Sequence, residues 1–142
     1  MDLRQDVLHT MLDGLSELIY VCDMVTHRLL YLNEEGRRLY GVDAVGGERL
    51  CYQVLQGRDE PCPFCTNGQL SGESFFEWEF TNPVSRRHYL LRDRLVDWDG
   101  RPARLEIAFD MTERQRESEL FKFLANAGSM VVDCIRVLEG GR

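Results

Sequence analysis

The chain has 142 residues, enough for one domain with a real core. Hydrophobic residues make up 44% and charged residues 29%, and 17 Lys and Arg against 24 Asp and Glu leave a net charge of −7 with no basic run. That balance argues against binding nucleic acid or an anionic membrane; no apolar stretch approaches the ~20 residues that span a bilayer, and the acid-bearing N-terminus does not read as a signal peptide, so the expected compartment is the cytoplasm.

Asp2 with Gln5 forms a D-x-x-Q variant of the capping box and predicts a first helix, with Gly14 at its exit. Leu3, Val7, Leu8, Met11, Leu12 and Leu15 follow at helical spacing as one apolar stripe. LIYVCD (18–23) and LLYLN (29–33) read as two strands, joined as a hairpin by a polar turn. Asn33 caps a short helix, with Glu34 and Glu35 in its first turn and Gly41 at its end. Residues 44–56 predict another helical stretch carrying Leu50, Val54 and Leu55, with Gly46-Gly47 as a turn. The segment CYQVLQGRDEPCPFC (51–65) then gathers three of the five cysteines. Pro61 and Pro63 rule out a regular helix through its second half.

In FFEWEF (75–80), Phe76, Trp78 and Phe80 alternate with Glu77 and Glu79, giving one buried face and one wet face. TNPVSRR is a turn, HYLLRDRLVDW (88–98) a long strand of mixed pattern, and Asp99-Gly100 a hairpin signal. Ala103, Leu105, Ile107 and Phe109 alternate with Arg104, Glu106 and Asp110 in the cleanest strand pattern of the chain. The order is α+β, with five strands in one sheet and helices packed on one face. Thr112 with Gln115 makes a T-x-x-Q capping box. After it, Leu120, Leu124, Ala127, Val131, Cys134 and Leu138 run at four- and three-residue spacing as a heptad seam, which serves self-packing and dimerisation equally.

On these residues the chain resembles a PAS domain, the sensory module of bacterial kinases and cyclic-nucleotide enzymes. LSELIYVCD resembles the opening PAS strand with its terminal Asp23. LLYLNEEGRRLYG resembles the second strand, the Asn33 cap and the short helix. VDWDGRPARLEIAFDMTERQR resembles the final hairpin and the Asp-x-Thr signature, here Asp110-Met111-Thr112, that launches a signalling helix. The resemblance implies a PAS-like five-stranded antiparallel sheet in the order 2-1-5-4-3 with short helices on one face and a cavity between them. It implies an N-terminal flanking helix (1–14), a sensory domain (15–111) and a long C-terminal signalling and dimerisation helix (112–142). It further implies a homodimer through the flanking helices and an output domain, a kinase of two-component signalling or a diguanylate cyclase of cyclic-di-GMP signalling. The chain is then expected to be a non-enzymatic fragment of a larger bacterial protein. Asp110, Thr112, Leu120, Leu124 and Val131 are the expected transmission residues, and Phe76, Trp78, Tyr89 and Asp93 the candidate ligand contacts.

The cysteine segment also resembles a PAS subgroup bearing C-Y-x-x-L-x-G-x-x-x-P-C-x-x-C, here Cys51, Tyr52, Leu55, Gly57, Pro61, Cys62 and Cys65. A Cys-x-x-Cys turn lets two thiolates converge on one ion, and Cys51 could add a third. Zinc or an iron–sulfur cluster wants four ligands, with Cys22 the distant candidate for the last and Asp59 or Glu60 alternatives for zinc. The rivals are a redox disulfide from Cys51 to Cys62 or Cys65, and inert buried thiols. Flavin photochemistry is not expected, because no Asn-Cys-Arg-Phe-Leu-Gln helix is present. Nor is c-type haem, because Thr66 stands where that motif needs His. Non-covalent haem would need His27 or His88, each read first as a surface residue. Asp93 falls in phase with Tyr89 and Leu91. The preferred reading is a bulge or edge position that exposes it, the other a buried carboxylate paired with Arg or touching a ligand. The leading function is a sensory domain transmitting a ligand or redox signal. The alternatives are a constitutive dimerisation or docking module with a filled cavity, and a small thiol-redox protein acting through Cys62 and Cys65.

Overall fold

A computed structural model describes residues 3–43 and 48–140. The chain divides into two units, one ending at Asp110 and one beginning at Met111. The first unit contains α1 (Leu3–Asp13), β1 (Leu18–Asp23), β2 (Leu29–Leu32), α2 (Glu34–Tyr40), α3 (Cys51–Gln56), a single 3-10 turn (Asn67–Gln69), β3 (Phe76–Thr81), β4 (His88–Trp98) and β5 (Arg101–Asp110). The strands form one antiparallel sheet in the order β2-β1-β5-β4-β3, the PAS-like α+β arrangement. β1, first in sequence, therefore lies inside the sheet beside the last strand, and each of its residues is buried.

Polar side chains define the turns. Asp23 closes the β1–β2 hairpin by accepting from the Val25 and Thr26 amides at 2.8 and 2.9 Å. Asn33 caps α2 by accepting from the Gly36 amide, and Gly41, at φ 66°, ends it in the left-handed conformation that a side chain disfavours. Asn82 is buried, accepts from the amides of Val84 and Ser85, and donates to the Leu55 carbonyl at 2.9 Å, fastening the β3–β4 turn to α3.

The helix expected over 44–56 begins only at Cys51. Ahead of it the backbone turns to the sheet: Leu50 bridges Arg28, and Leu29 N–H donates to the Arg49 carbonyl at 2.8 Å, so those groups serve strand pairing and not a helix. The expectations at 44–47, including the Gly46-Gly47 turn, and the cap at Asp2 lie outside the described residues.

One face of the sheet packs Leu18, Tyr20, Cys22, Leu29, Leu32, Leu91 and Ala108 against Cys51 and Leu55 of α3. The other packs Val21, Tyr31 and Ala103 with Leu12 of α1, Val96, Trp98 and Leu105. In β5 the alternation thus runs against the simple amphipathic reading. Arg104, Glu106 and Ala108 point beneath the helices and are buried, while Leu105 and Ile107 on the other face are half-buried. α1 also departs from expectation. Leu3, Val7, Leu8, Met11 and Leu15 of its stripe are exposed. The helix is held by Leu12, by His9 stacked on Tyr31 (ring centroids 4.8 Å apart) and by the Tyr31 hydroxyl donating to Asp13 at 2.8 Å.

The second unit is α4 (Thr112–Gly140), 29 residues long, with none buried. Its first helical bond runs from Gln115 N–H to the Met111 carbonyl, one residue before the expected cap at Thr112. Leu120, Leu124, Val131 and Leu138 are exposed along it. Among the described residues no helix is long and apolar enough to cross a membrane.

Candidate functional site

Strand register assembles the site. Tyr20 stands opposite Glu106, Glu106 opposite Asp93, and Asp93 opposite Phe76, one row across β1, β5, β4 and β3. In the adjacent row Cys22 stands opposite Arg104. Residues two apart on a strand share a face, so Arg104 and Glu106 meet Tyr20 and Cys22 beneath α3 and the cysteine loop.

These buried groups bond chiefly to one another. Arg104 Nη1 donates to Asn67 Oδ1 at 2.7 Å and to Cys65 Sγ at 3.3 Å; Nη2 donates to the Tyr20 hydroxyl at 3.0 Å and reaches Cys51 Sγ at 3.8 Å. Tyr20 in turn donates to Glu106 Oε2 at 2.8 Å. Thr66 Oγ1 and Trp78 Nε1 both donate to Asp93 Oδ2, at 2.7 and 2.8 Å. Asp93 Oδ1 is buried without a conventional donor among the described residues, and the Glu106 carboxyl is hydrogen-bonded to Asp93. A proton on Glu106 resolves both facts. Burial first, and the neighbouring Asp93 second, push the Glu106 carboxyl well above its ordinary range, so it holds that proton and donates. Arg104 stays charged: burial works against it, but Tyr20, Cys22, Glu106 and Cys51 around it outweigh the loss of water.

The thiols divide by environment. Cys51, at the start of α3, is held down to about 6 by the hydrogen bond with Cys22, the Arg104 charge and His27, against the opposing effect of burial. Cys22 moves the other way, through that same hydrogen bond and its own burial. Cys62 is raised by burial and then by Cys51 and Cys65, which keeps its thiolate scarce. His27 sits at φ 61°, uncommon for a residue with a side chain; its carbonyl accepts from the Cys51 amide at 2.9 Å and its Nδ1 lies 4.0 Å from Cys51 Sγ.

A small cavity opens here, lined by Tyr20, His27, Cys51, Trp78, Arg104 and Glu106 among others. The space open to the centres of water-sized molecules is ≈ 40 Å³, room for a few waters or a small polar molecule. Among the described residues no three His, Cys, Asp or Glu side chains are arranged to hold a metal ion. Of the expected ligand set Cys22, Cys51, Cys62 and Cys65, two face the Arg104 guanidinium, a fixed positive charge that opposes a metal. As they stand the thiols do not fit zinc or an iron–sulfur cluster.

The other expected residues are distributed as follows. Trp78 lines the cavity, and Asp93 lies behind it, fully buried. The expected bulge or exposed edge at Asp93 is absent. Its register with both neighbours is continuous, and its partners are Thr66, Trp78 and Glu106, not an Arg. Phe76 is half-buried. Tyr89 borders a separate, smaller cavity with Tyr40 and Phe80. His27 is not a surface residue but part of the wall. His88 lies within 3.0 Å of Thr81 Oγ1. Asp110 pairs with Arg87 at 2.6 Å. Tyr20, Thr66, Arg104 and Glu106 were not among the expected site residues.

No family model and no curated protein matches the chain in sequence. Solved structures match its fold. The PAS domain of an HTR-like protein from Haloarcula marismortui is 14% identical, with TM-score 0.58 over 75% of this chain and 91% of that one. The PAS domain of nitrogen regulation protein NR(II) from Vibrio parahaemolyticus is 11% identical, with TM-score 0.56 over 78% of this chain and 99% of that one. An RNA-binding light-oxygen-voltage receptor is 19% identical, with TM-score 0.59 over 87% of this chain, which spans only 38% of that receptor.

Proposed function

We propose that this chain, whose fold is that of PAS domains, is a non-catalytic sensory module of a cytoplasmic bacterial signalling protein. A small polar ligand or a redox event at the cavity biases the sheet between two packings, and α4 conveys that bias to an output domain such as a kinase or diguanylate cyclase. The observation that carries this reading is the position of Arg104 and Glu106. Both line the cavity, and both lie on β5, the strand whose next residues start α4. Arg104 Nε is also buried with no acceptor among the described residues, a donor that a polar ligand would satisfy. The exposed apolar residues of α1 and α4 support assembly as a homodimer.

A docking module without a ligand is the second reading, favoured by how little free space the cavity leaves. It gives no reason to desolvate a guanidinium, two carboxyl groups and a phenol, since apolar replacements of such groups are commonly neutral or stabilising. Thermal denaturation against a panel of small carboxylic acids, amides and alcohols separates the two. The sensory reading expects a compound that raises Tm in the native chain and not in Arg104→Gln. No response from any member, with the dimer intact, would transfer preference to docking.

A further inference from the structure

We propose that Cys51 at the cavity wall and Cys22 in the buried core form a peroxide-responsive thiol pair, Cys51 attacking the oxidant and Cys22 resolving the product as a Cys22–Cys51 disulfide. This deepens the sensory reading and rests on it for what the reaction would signal, not for the chemistry.

Three features single out Cys51 as the attacking sulfur. It lines the cavity, whose free space admits hydrogen peroxide but not a bulky disulfide such as oxidised glutathione. Two basic groups flank it, Arg104 Nη2 at 3.8 Å and His27 Nδ1 at 4.0 Å. The guanidinium is itself pinned by Asn67 and Tyr20, so it stands ready for negative charge on sulfur and on the departing oxygen without rearranging. With its thiol near 6, Cys51 is mostly thiolate at neutral pH, the form that attacks.

The resolving partner follows from the same geometry. All five cysteines are free thiols. Cys22 lies in the same buried cluster as Cys51 and opposite Arg104, whose Nη2 reaches the Cys51 sulfur, whereas Cys65 accepts from Arg104 Nη1. In the first step the Cys51 thiolate forms an S–O bond as the peroxide O–O bond breaks. Sulfur is oxidised to sulfenic acid, and the hydroxide released takes a proton to become water. In the second step the Cys22 sulfur attacks the Cys51 sulfur. The S–S bond forms, the S–O bond breaks, and the hydroxyl leaves with the Cys22 proton as water. Two thiols and one peroxide give one disulfide and two waters.

The product differs from the reduced state where the sensor needs it to. A disulfide sets the two sulfurs about 2.05 Å apart, far closer than a hydrogen-bond contact, so α3 is drawn onto β1. Arg104, opposite Cys22 on β5, loses the thiolate beside it. The change therefore reaches the strand that precedes α4.

The test uses the full chain in a Cys134→Ser background, because Cys134 is exposed and would link copies. The reduced protein is treated with equimolar hydrogen peroxide and digested without reductant for mass spectrometry. The expected result is a peptide pair joined through Cys22 and Cys51. Cys22→Ala should stop at a Cys51 sulfenic acid that dimedone traps, with circular dichroism confirming the fold. Cys51→Ser should slow peroxide consumption on the order of tenfold. The rate in the native chain should rise with pH through a midpoint of about 6. Four unmodified cysteines, or a disulfide from Cys51 to Cys62 or Cys65, would overturn the proposal, and the peptide map of the Cys134→Ser chain decides this even if a further variant fails to fold. A chain whose Tm responds to a small ligand but whose Cys51 ignores peroxide would refute this pair alone. The disulfide without any ligand response would retain it and remove the ligand from the sensory reading.

Discussion

The face of the sheet beneath α3 carries Tyr20, Cys22, Asp93, Arg104 and Glu106, whereas the opposite face carries Val21, Tyr31, Ala103 and Leu105. The first adds a network of buried, interbonded polar groups to its apolar contacts, whereas the second rests chiefly on apolar area. A polar network in low dielectric is strong while complete and costly once a member is missing, whereas an apolar face loses stability in proportion to the surface removed. The network face is therefore the one where loss of a single group is expected to cost the most stability.

The widest gap between the faces is expected from Arg104→Met. It leaves the Tyr20 and Asn67 oxygens and the Cys51 sulfur without their donor, and should lower unfolding free energy by about 3 kcal/mol or more in urea titration. A loss below about 1 kcal/mol would mean that the network does not hold that face.

Titration should divide the faces by sign. Glu106 is raised on folding, so its contribution is fully present below the ordinary value of 4.5 and is lost as pH climbs through the folded-state value. Asp13, on the α1 side, is lowered: burial opposes this, but the Tyr31 hydroxyl, the Glu34 amide and Arg37 outweigh it. Its contribution is present above 3.8 and is lost as pH falls through the folded-state value. Urea midpoints across pH should show Glu106→Gln removing the decline on the alkaline side and Asp13→Asn removing part of the decline on the acid side. Matching profiles for Glu106→Gln and the native chain would show that Glu106 carries no proton in the folded state.

A smaller effect is expected from Tyr31→Phe, which removes one hydrogen bond to Asp13 and should cost about 1 kcal/mol by the same titration. Smallest for stability is Leu124→Glu. Leu124 is exposed, so the change should leave the unfolding midpoint within about 0.5 kcal/mol while shifting sedimentation from dimer to monomer. An unchanged sedimentation coefficient would remove the seam from the proposed assembly.

Local chemistry made much of this fold legible. A β-branched and aromatic run marked β1, Asn33 and Gly41 bracketed α2, and Asp99-Gly100 marked the last hairpin. The strand order came from the resemblance, and the register bears it out. Cys51, Trp78 and Asp93 stood out by type and spacing. Arg104 and Glu106 did not, because alternation in β5 separates two faces without saying which is covered, and here both are. Only pairing with β1 and β4 places Glu106 between Tyr20 and Asp93. Cys22 likewise lies 29 positions before Cys51 in the sequence, and no local pattern joins them.

Asn33 has a consequence of its own. Its Oδ1 accepts from Ile19 and Gly36, and its Nδ2 donates to the carbonyls of Leu12 and Glu17, so all four hydrogen-bonding positions of one side chain are occupied. A single amide thereby rivets the end of α1, the entry to β1 and the first turn of α2 into one rigid joint. Torque applied to the leading helix would pass through that rivet straight to the inner strand bearing Tyr20 and Cys22, which would give the proposed sensor an input lever beside the output proposed for α4.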